Sequence, residues 1–223
     1  MQEIYQRAEA AELMSGLVHD LRNPLASFRA NLASLRIVPE ESGEILDEMD
    51  QDLVRLDDKL TSMLDLTRKR DEQLRNVDCG QLLAQVQRLA APILDDHHLE
   101  LRCDCRTGKK TIQLMEDSMR DALLNLIINA AESGQQEGII ECEISQTGNQ
   151  LRIEIRDRGQ GLPHGTDIFS PFITTKNSGH GLGLAICRRT VEAHGGTIDA
   201  ADRDGGGAVF TIILPQPPTA GKA

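Results

Sequence analysis

Residues 157–184 read DRGQGLPHGTDIFSPFITTKNSGHGLGL, and this stretch says more about the fold than any other part of the chain. Of the 19 glycines in the sequence, 11 lie between Gly159 and Gly207. Glycine is concentrated where the backbone needs a positive φ or must approach a ligand closely. The sequence therefore predicts a binding site built from loops in the second half of the chain.

Short alternating strands and amphipathic helices surround this stretch. We predict helices over 82–94, 119–132 and 182–194, and strands over 98–105, 139–144, 151–155 and 209–214. Thr147-Gly148-Asn149 would turn the chain between the two middle strands. This order predicts an α+β sandwich, in which one sheet carries its helices on one face.

The start of the chain carries two runs of apolar residues with heptad spacing. They are Met14, Val18, Leu21, Leu25, Phe28, Leu32 and Leu35, then Leu46, Met49, Leu53, Leu56, Leu60 and Met63. Such spacing predicts two long helices, joined at residues 38–43 into an antiparallel hairpin. Because one hairpin exposes two apolar seams, we expect a homodimer that closes a four-helix bundle. The alternative is a monomeric hairpin packed on the rest of the chain.

Composition excludes two broad classes of function. Only 2% of the 223 residues are aromatic and the formal net charge is −11, so base stacking and attraction to a phosphate backbone are both disfavoured. No apolar run reaches the 18 or so residues that cross a bilayer, and no signal peptide follows Met1. We expect a soluble chain that does not bind nucleic acid and has no membrane segment.

The cysteines indicate a reducing compartment. There are five, they are scattered, and none forms a CxxC pair: Cys79, Cys103, Cys105, Cys142 and Cys187. An odd number without paired spacing argues against a zinc or redox site. We therefore predict reduced thiols in a cytoplasmic protein.

A histidine in the first helix is a candidate nucleophile. His19 lies beside the apolar seam and would project outward, and Asp20 could accept its ring proton. Pro24 would bend the helix just after it. A solvated surface histidine is the alternative interpretation, and His19 alone does not exclude it.

Four further motifs lie in the second half of the chain. Asn125 and Asn129 share one helix face, and their amide oxygens suit Mg²⁺ that phosphates already hold. Asp157 ends a strand at a glycine turn, where its carboxylate could accept a hydrogen bond from an exocyclic amine such as that of adenine. Residues 179–183 precede a helix, so their backbone amides could bind phosphates. The fourth motif is Phe169-Ser170-Pro171-Phe172.

Together these motifs resemble a sensor histidine kinase of two-component signalling, from about Ala8 to Pro215. His19 to Pro24 is similar to the phosphoacceptor box. The other matches are, in order, the asparagine box, the first glycine box at 157–161, the phenylalanine box at 169–172 and the second glycine box at 179–184. The resemblance implies a dimerising helical hairpin followed by a Bergerat-type ATP-binding sandwich. Its implied boundaries are 1–74 for the hairpin, 75–217 for the catalytic domain and 218–223 for a tail.

The resemblance also implies roles for individual residues. ATP and Mg²⁺ would be the cofactors, with Asn129 as the magnesium ligand and Asn125 beside the phosphates. Asp157 would hold the adenine amine, assisted by Thr211. The remaining implied ATP-binding residues are Gly159, Gly161, Gly179, Gly181, Leu182 and Gly183.

The implied reaction is autophosphorylation followed by phosphoryl transfer. His19 would accept the γ-phosphoryl group with Asp20 as general base, and an aspartate of a response regulator receiver domain would receive it next. Asn23 matches the position of a water-orienting amide in family members that also dephosphorylate their regulator. An upstream sensor domain or partner would supply the input, and the chain would be the cytoplasmic portion of a larger sensor.

One departure from the family pattern concerns charge. Glu132 follows Asn129 by three residues, where some family members have a basic residue that touches the phosphates. A carboxylate cannot do so, and Lys176 is our candidate for the positive charge.

Two other functions fit parts of the sequence. An ATP-hydrolysing relative would need a glutamate general base where this chain has Asn125, and it would leave the histidine hairpin unexplained. A non-catalytic scaffold that binds ATP only to set its conformation would not need every motif intact.

Overall fold

The structure is a computed structural model, and it describes residues 25–28, 31–32, 43, 45–47, 49–50, 53–54, 56, 60, 72–107, 111–134, 138–176 and 181–216. The chain divides into two compact units, residues 1–68 and 69–223. None of the helices within the described ranges has the length and apolar composition needed to cross a bilayer.

The described residues of the first unit are helical, as the heptad pattern predicts, and the helical state of Gly43 corrects its predicted place in the connection. Met49 is buried, whereas a row of leucines at heptad spacing remains between 44% and 51% exposed. These leucines are Leu25, Leu32, Leu46, Leu53 and Leu60. Part of the apolar surface predicted for the hairpin is therefore covered within the unit and part is not.

The described part of the second unit alternates strands with three helices. Its elements are β1 (Arg75–Asp78), α1 (Cys79–Asp96), β2 (Leu99–Arg106), β3 (Thr111–Leu114), α2 (Glu116–Ala131), β4 (Gly138–Thr147), β5 (Gln150–Arg156), α3 (Gly183–Ala193), β6 (Thr197–Asp202) and β7 (Ala208–Pro215). Asp78 caps α1 by accepting a hydrogen bond from the Gln81 amide at 3.0 Å. Gly195, at φ +71°, follows the C-terminal cap of α3, as the glycine pair there predicts.

Within residues 72–216, where the structure describes most of the chain, the main sheet has five strands in the order β2-β4-β5-β7-β6. β2 and β4 run parallel, and the other neighbours are antiparallel. The β4–β5 hairpin forms at the turn that the sequence predicts. Along β7 the buried residues alternate with partly exposed ones, so one face of the sheet is apolar.

The helices pack on this apolar face and enclose the core. Among the largest fully buried side chains, Leu82 comes from α1, Leu123 and Ile127 from α2, and Ile153 and Phe210 from the sheet. The apolar stripe of α2 is therefore turned inward, and its polar positions face away from the core.

Strands β1 and β3 form a separate antiparallel pair, so the prediction of one sheet is wrong. Each has only four residues, and so short a segment offers too little alternation to be recognised in the sequence.

The prediction of five free thiols is also wrong. Cys79, at the start of α1, forms a disulfide with Cys105 near the end of β2, with 6.7 Å between their Cα atoms. The two residues are 26 positions apart, and only the packing of α1 on the sheet brings them together. Cys103, Cys142 and Cys187 are free thiols.

Candidate functional site

Helix α2 presents Asn125 and Asn129 beside the start of α3. Leu126, Ile127 and Ala130 are buried, whereas both asparagines are only partly buried. A Cβ atom added at Gly183 would lie 3.8 Å from the Asn125 side-chain amide. The packing of α3 against α2 therefore brings the second glycine motif to the asparagine motif.

The first turn of α3 has backbone N–H groups to offer. The N-cap residue Leu182 makes no side-chain hydrogen bond to this turn, and the Ile186 amide is bonded to the Leu182 carbonyl at 2.9 Å. The amides before Ile186 are the ones that a helix leaves without an internal partner. They lie beside Asn125 and form a suitable environment for an anion.

Asp157 is a buried carboxylate directly after β5. It is 1% exposed, and its Oδ1 accepts hydrogen bonds from the backbone amides of Gly159 at 2.8 Å and Ala208 at 3.1 Å. Both hydrogen bonds go to Oδ1. Oδ2 can therefore still accept a hydrogen bond, as far as the described part of the chain is concerned. A buried carboxylate oxygen held in this way can accept a hydrogen bond from an amine of a ligand.

The glycine turn after Asp157 is pressed against its neighbours. Gly161 has φ +80°, and a Cβ atom there would lie 2.7 Å from the Asp202 carboxylate. The same carboxylate accepts the Leu162 amide at 2.8 Å. The Gln160 amide donates to the Ser133 carbonyl at 3.0 Å, which ties the turn to the end of α2.

The second glycine motif is held by the phenylalanine motif. Gly181 has φ +65°, and a Cβ atom there would lie 2.7 Å from the Ile173 amide nitrogen. The Phe172 amide donates to the Gly181 carbonyl at 2.9 Å. This close backbone approach explains why a glycine occupies position 181.

An ion pair anchors the segment before the phenylalanine motif to α3. Both terminal nitrogens of Arg188 bond to the Asp167 carboxylate, at 2.9 and 2.6 Å, and its guanidinium lies 4.8 Å from the centre of the Phe169 ring. Phe169 also makes an edge-to-face contact with Phe210 of the core. The hydrogen bond from Arg188 is the main cause that lowers the pKa of Asp167 to about 2.

Lys176, Asn129 and Glu132 form a cluster, here called the Lys176 cluster. Lys176 Nζ donates to Asn129 Oδ1 at 2.8 Å and to Glu132 Oε2 at 2.8 Å, and it lies 3.4 Å from the Asn129 carbonyl. An amide oxygen, a carbonyl oxygen and a carboxylate thus surround one cation. Because these are oxygen ligands of the kind that Mg²⁺ prefers, the residues fit a magnesium ion.

The structure does not bring Thr211 to Asp157. Thr211 lies on the face of the sheet away from the helices, with its hydroxyl 3.5 Å from a carboxylate oxygen of Glu154. Asp157 follows the core-facing alternation of β5, so the two side chains are on opposite faces. Ala208 is the β7 residue that contacts Asp157, and it does so through its backbone. The glycines just before Ala208 are the sequence feature that could have indicated this contact.

Several predicted site residues lie outside the described part of the chain. They are His19, Asp20, Asn23 and Gly179. Within it, sequence reasoning missed Ser133 and Asp202, which hold the glycine turn through hydrogen bonds. Neither residue belongs to a recognisable motif.

The chain matches two family models in succession. Residues 9–72 match the His Kinase A (phospho-acceptor) domain. Residues 115–218 match the histidine kinase-, DNA gyrase B-, and HSP90-like ATPase. The asparagine, glycine and phenylalanine motifs all fall within the second match.

Known proteins resemble the chain over most of its length. Sensor histidine kinase ZraS of Escherichia coli (strain K12) is 32% identical over 208 residues, which are 91% of this chain and 45% of ZraS. Full-length ShkA in complex with AMPPNP has 27% identity and a TM-score of 0.68, covering 94% of this chain and 46% of that one. Histidine kinase ThkA, in complex with the response regulator protein TrrA, has 23% identity and a TM-score of 0.78. The match covers 97% of this chain and 64% of the ThkA chain.

The chain spans under half the length of ZraS. The comparisons confirm the predicted α+β sandwich. In this chain the match to the phospho-acceptor domain precedes the match to the ATPase domain. The sensor histidine kinase ZraS aligns with the chain across both domains. The chain therefore belongs to the sensor histidine kinases of two-component systems.

Proposed function

We propose that this chain is an ATP-dependent autokinase that phosphorylates His19 and passes the phosphoryl group to an aspartate of a response regulator. The main observation that supports ATP binding is the buried Asp157, whose Oδ1 is fixed by the Gly159 and Ala208 amides. This arrangement leaves one carboxylate oxygen to select an adenine amine. The match of residues 9–72 to the phospho-acceptor domain supports His19 as the phosphorylated residue.

ATP binds between the exposed side of α2 and the segment 162–180. The N–H groups at the start of α3 and Asn125 receive the phosphates, while Lys176 supplies positive charge. Asn129 would hold Mg²⁺, which when bound neutralises charge on the phosphates. The glycines at 159, 161, 179, 181 and 183 let the backbone approach the nucleotide, and Leu182 positions the helix start.

The phosphoryl step needs few chemical groups from the protein. A ring nitrogen of His19 attacks the γ-phosphorus, the bond to the bridging oxygen breaks, and ADP departs with the electron pair. Asp20 takes the ring proton and keeps the imidazole oriented. Asn23, close after His19, is available to orient water when the phosphorylated regulator is hydrolysed.

Two partners follow from this function. The fold is shared with ThkA, which was solved in complex with a response regulator, and this supports a receiver domain as the phosphoryl acceptor. The exposed leucine row of the first unit supports a homodimer formed through the hairpin. An upstream sensor region would set the activity, and the need for ATP supports the predicted cytoplasmic location.

The test is labelling with ATP that carries a radioactive γ-phosphate, in the presence of Mg²⁺. We expect an acid-labile, base-stable label on the protein that disappears in His19→Gln. His98→Gln, at an exposed position in the turn after α1, is the matched control and should label like the wild type. Label that persists in His19→Gln, or release of inorganic phosphate with no labelled protein, would contradict the proposal.

A further inference from the structure

The Lys176 cluster holds a carboxylate at an unfavourable end of a helix. Glu132 is the C-cap of α2, and the last turn of α2 contains no basic residue. The partial negative charge at a helix C-terminus repels a carboxylate there. A cation beside Glu132 offsets this repulsion, and in the structure that cation is the ammonium of Lys176, 2.8 Å from Glu132 Oε2.

The same ammonium is bound to Asn129. Lys176 Nζ donates to Asn129 Oδ1 at 2.8 Å, the oxygen that would ligate Mg²⁺ under the proposed function. A lysine ammonium and a divalent cation cannot occupy this position together. One of them must leave when the other arrives.

We propose that Glu132 makes nucleotide binding depend on the divalent cation, by holding Lys176 at the position that Mg²⁺ takes when it enters with ATP. This inference rests on the proposed function. Without the metal, Lys176 remains paired with Glu132, and the carboxylate repels the phosphates. With the metal, Asn129 and Glu132 bind the incoming cation, and Lys176 is released towards the phosphates.

Geometry allows this exchange. The Lys176 backbone amide is fixed by the Thr174 hydroxyl at 3.1 Å, whereas its ammonium is carried on a four-carbon stem with rotatable bonds. The Lys176 and Glu132 side chains are 26% and 38% exposed, so neither group is locked inside the core. Breaking their ion pair is therefore within the range that a ligand can drive.

The experiment measures the dissociation constant of AMPPNP by calorimetry, in Mg²⁺ and in EDTA, so that no turnover is involved. The quantity of interest is the ratio of the EDTA constant to the Mg²⁺ constant. We expect Glu132→Gln to lower this ratio about two- to fivefold, the range for a partly exposed ion pair, mainly by tightening metal-free binding. Lys176→Met should weaken binding in Mg²⁺, because the released ammonium is lost.

Glu192→Gln is the matched control, since it removes an equal charge from an exposed position on α3 and should leave the ratio unchanged. If the wild type binds AMPPNP in Mg²⁺ but Glu132→Gln keeps the wild-type ratio, the inference is overturned and the proposed function stands. If the wild type does not bind AMPPNP in Mg²⁺, the proposed function fails first. A change in the ratio without a matching change in the unfolding midpoint separates this role from a purely structural ion pair.

Discussion

At Asp157, one carboxylate oxygen is engaged by the fold and the other is available to a ligand. Oδ1 accepts the Gly159 and Ala208 amides, so the side chain stays in place whether or not nucleotide is bound. An asparagine has the same shape and can still offer Oδ1 to both amides. Only the second atom changes, from an acceptor to an N–H donor.

Asp157→Asn should therefore weaken ATP binding and spare the fold. We expect the dissociation constant for ATP to rise about tenfold to a hundredfold, the effect of losing a charge-assisted hydrogen bond. GTP binding should fall less, because guanine presents an acceptor where adenine presents an amine. Calorimetric titration with both nucleotides and a urea unfolding curve measure this, and an unchanged ATP constant would show that Asp157 does not contact adenine.

His194 acts at the scale of elements, because it ties the end of α3 to the start of α2. It is buried, its Nε2 accepts the Met115 amide at 3.0 Å, and its Nδ1 donates to the Thr190 carbonyl at 2.7 Å. Both contacts require a neutral ring with its proton on Nδ1. Burial is the main cause that lowers the pKa of His194, against opposing effects of the Thr190 carbonyl and the Glu72 charge.

The free energy of unfolding should fall as the pH is lowered, because His194 becomes protonated. Because the folded pKa is lowered, the contribution of His194 is present above its ordinary value of about 6.5 and is lost as the pH falls through the folded value. We expect a smaller unfolding free energy at pH 5.5 than at pH 7.5, and a shallower dependence in His194→Gln. Urea unfolding at both values measures this. The exposed His164→Gln should keep the wild-type slope.

The Asp167–Arg188 pair links the segment after the first glycine turn to α3. Since the pKa of Asp167 is lowered to about 2, its contribution is present above about 4 and is lost as the pH falls towards 2. Both side chains are substantially exposed, so Asp167→Asn should cost only about 0.5–1 kcal/mol at neutral pH. Unfolding curves should show this difference shrinking below pH 4. The exposed Asp199→Asn should produce no such difference.

At the scale of the whole molecule, the exposed leucine row argues for a second copy of the chain. Leucines seven residues apart on both sides of the predicted connection stay about half exposed, while Met49 is buried. Leu53→Lys should shift the protein from dimer to monomer in sedimentation at micromolar concentration. Val54→Lys, on the adjacent and more exposed position, should leave it dimeric. A monomeric wild type would contradict the dimer.

Some of this organisation could be predicted from the sequence, because it is carried by side-chain pattern. The apolar stripe of α2 and the alternation of β4 and β5 both gave correct elements. Asp157 was selected from the first glycine motif and Lys176 from the departure at Glu132, and their roles stay predictions. Backbone contacts and long-range pairings could not be predicted in this way. Ala208 contacts Asp157 through its backbone amide, which no side-chain pattern indicates. The Cys79–Cys105 bond depends on how α1 packs against β2.

The parallel pairing of β2 with β4 has a kinetic consequence. β2 ends at Arg106 and β4 begins at Gly138, so about thirty residues, including α2, must cross over before the two strands can pair. Such non-local pairing is a slow event in folding. Under the proposed function the nucleotide lies beside Asn125 and Asn129 of α2, and it can contact the crossover only after the crossover has formed. ATP should therefore retard the unfolding of this unit while leaving its folding rate nearly unchanged.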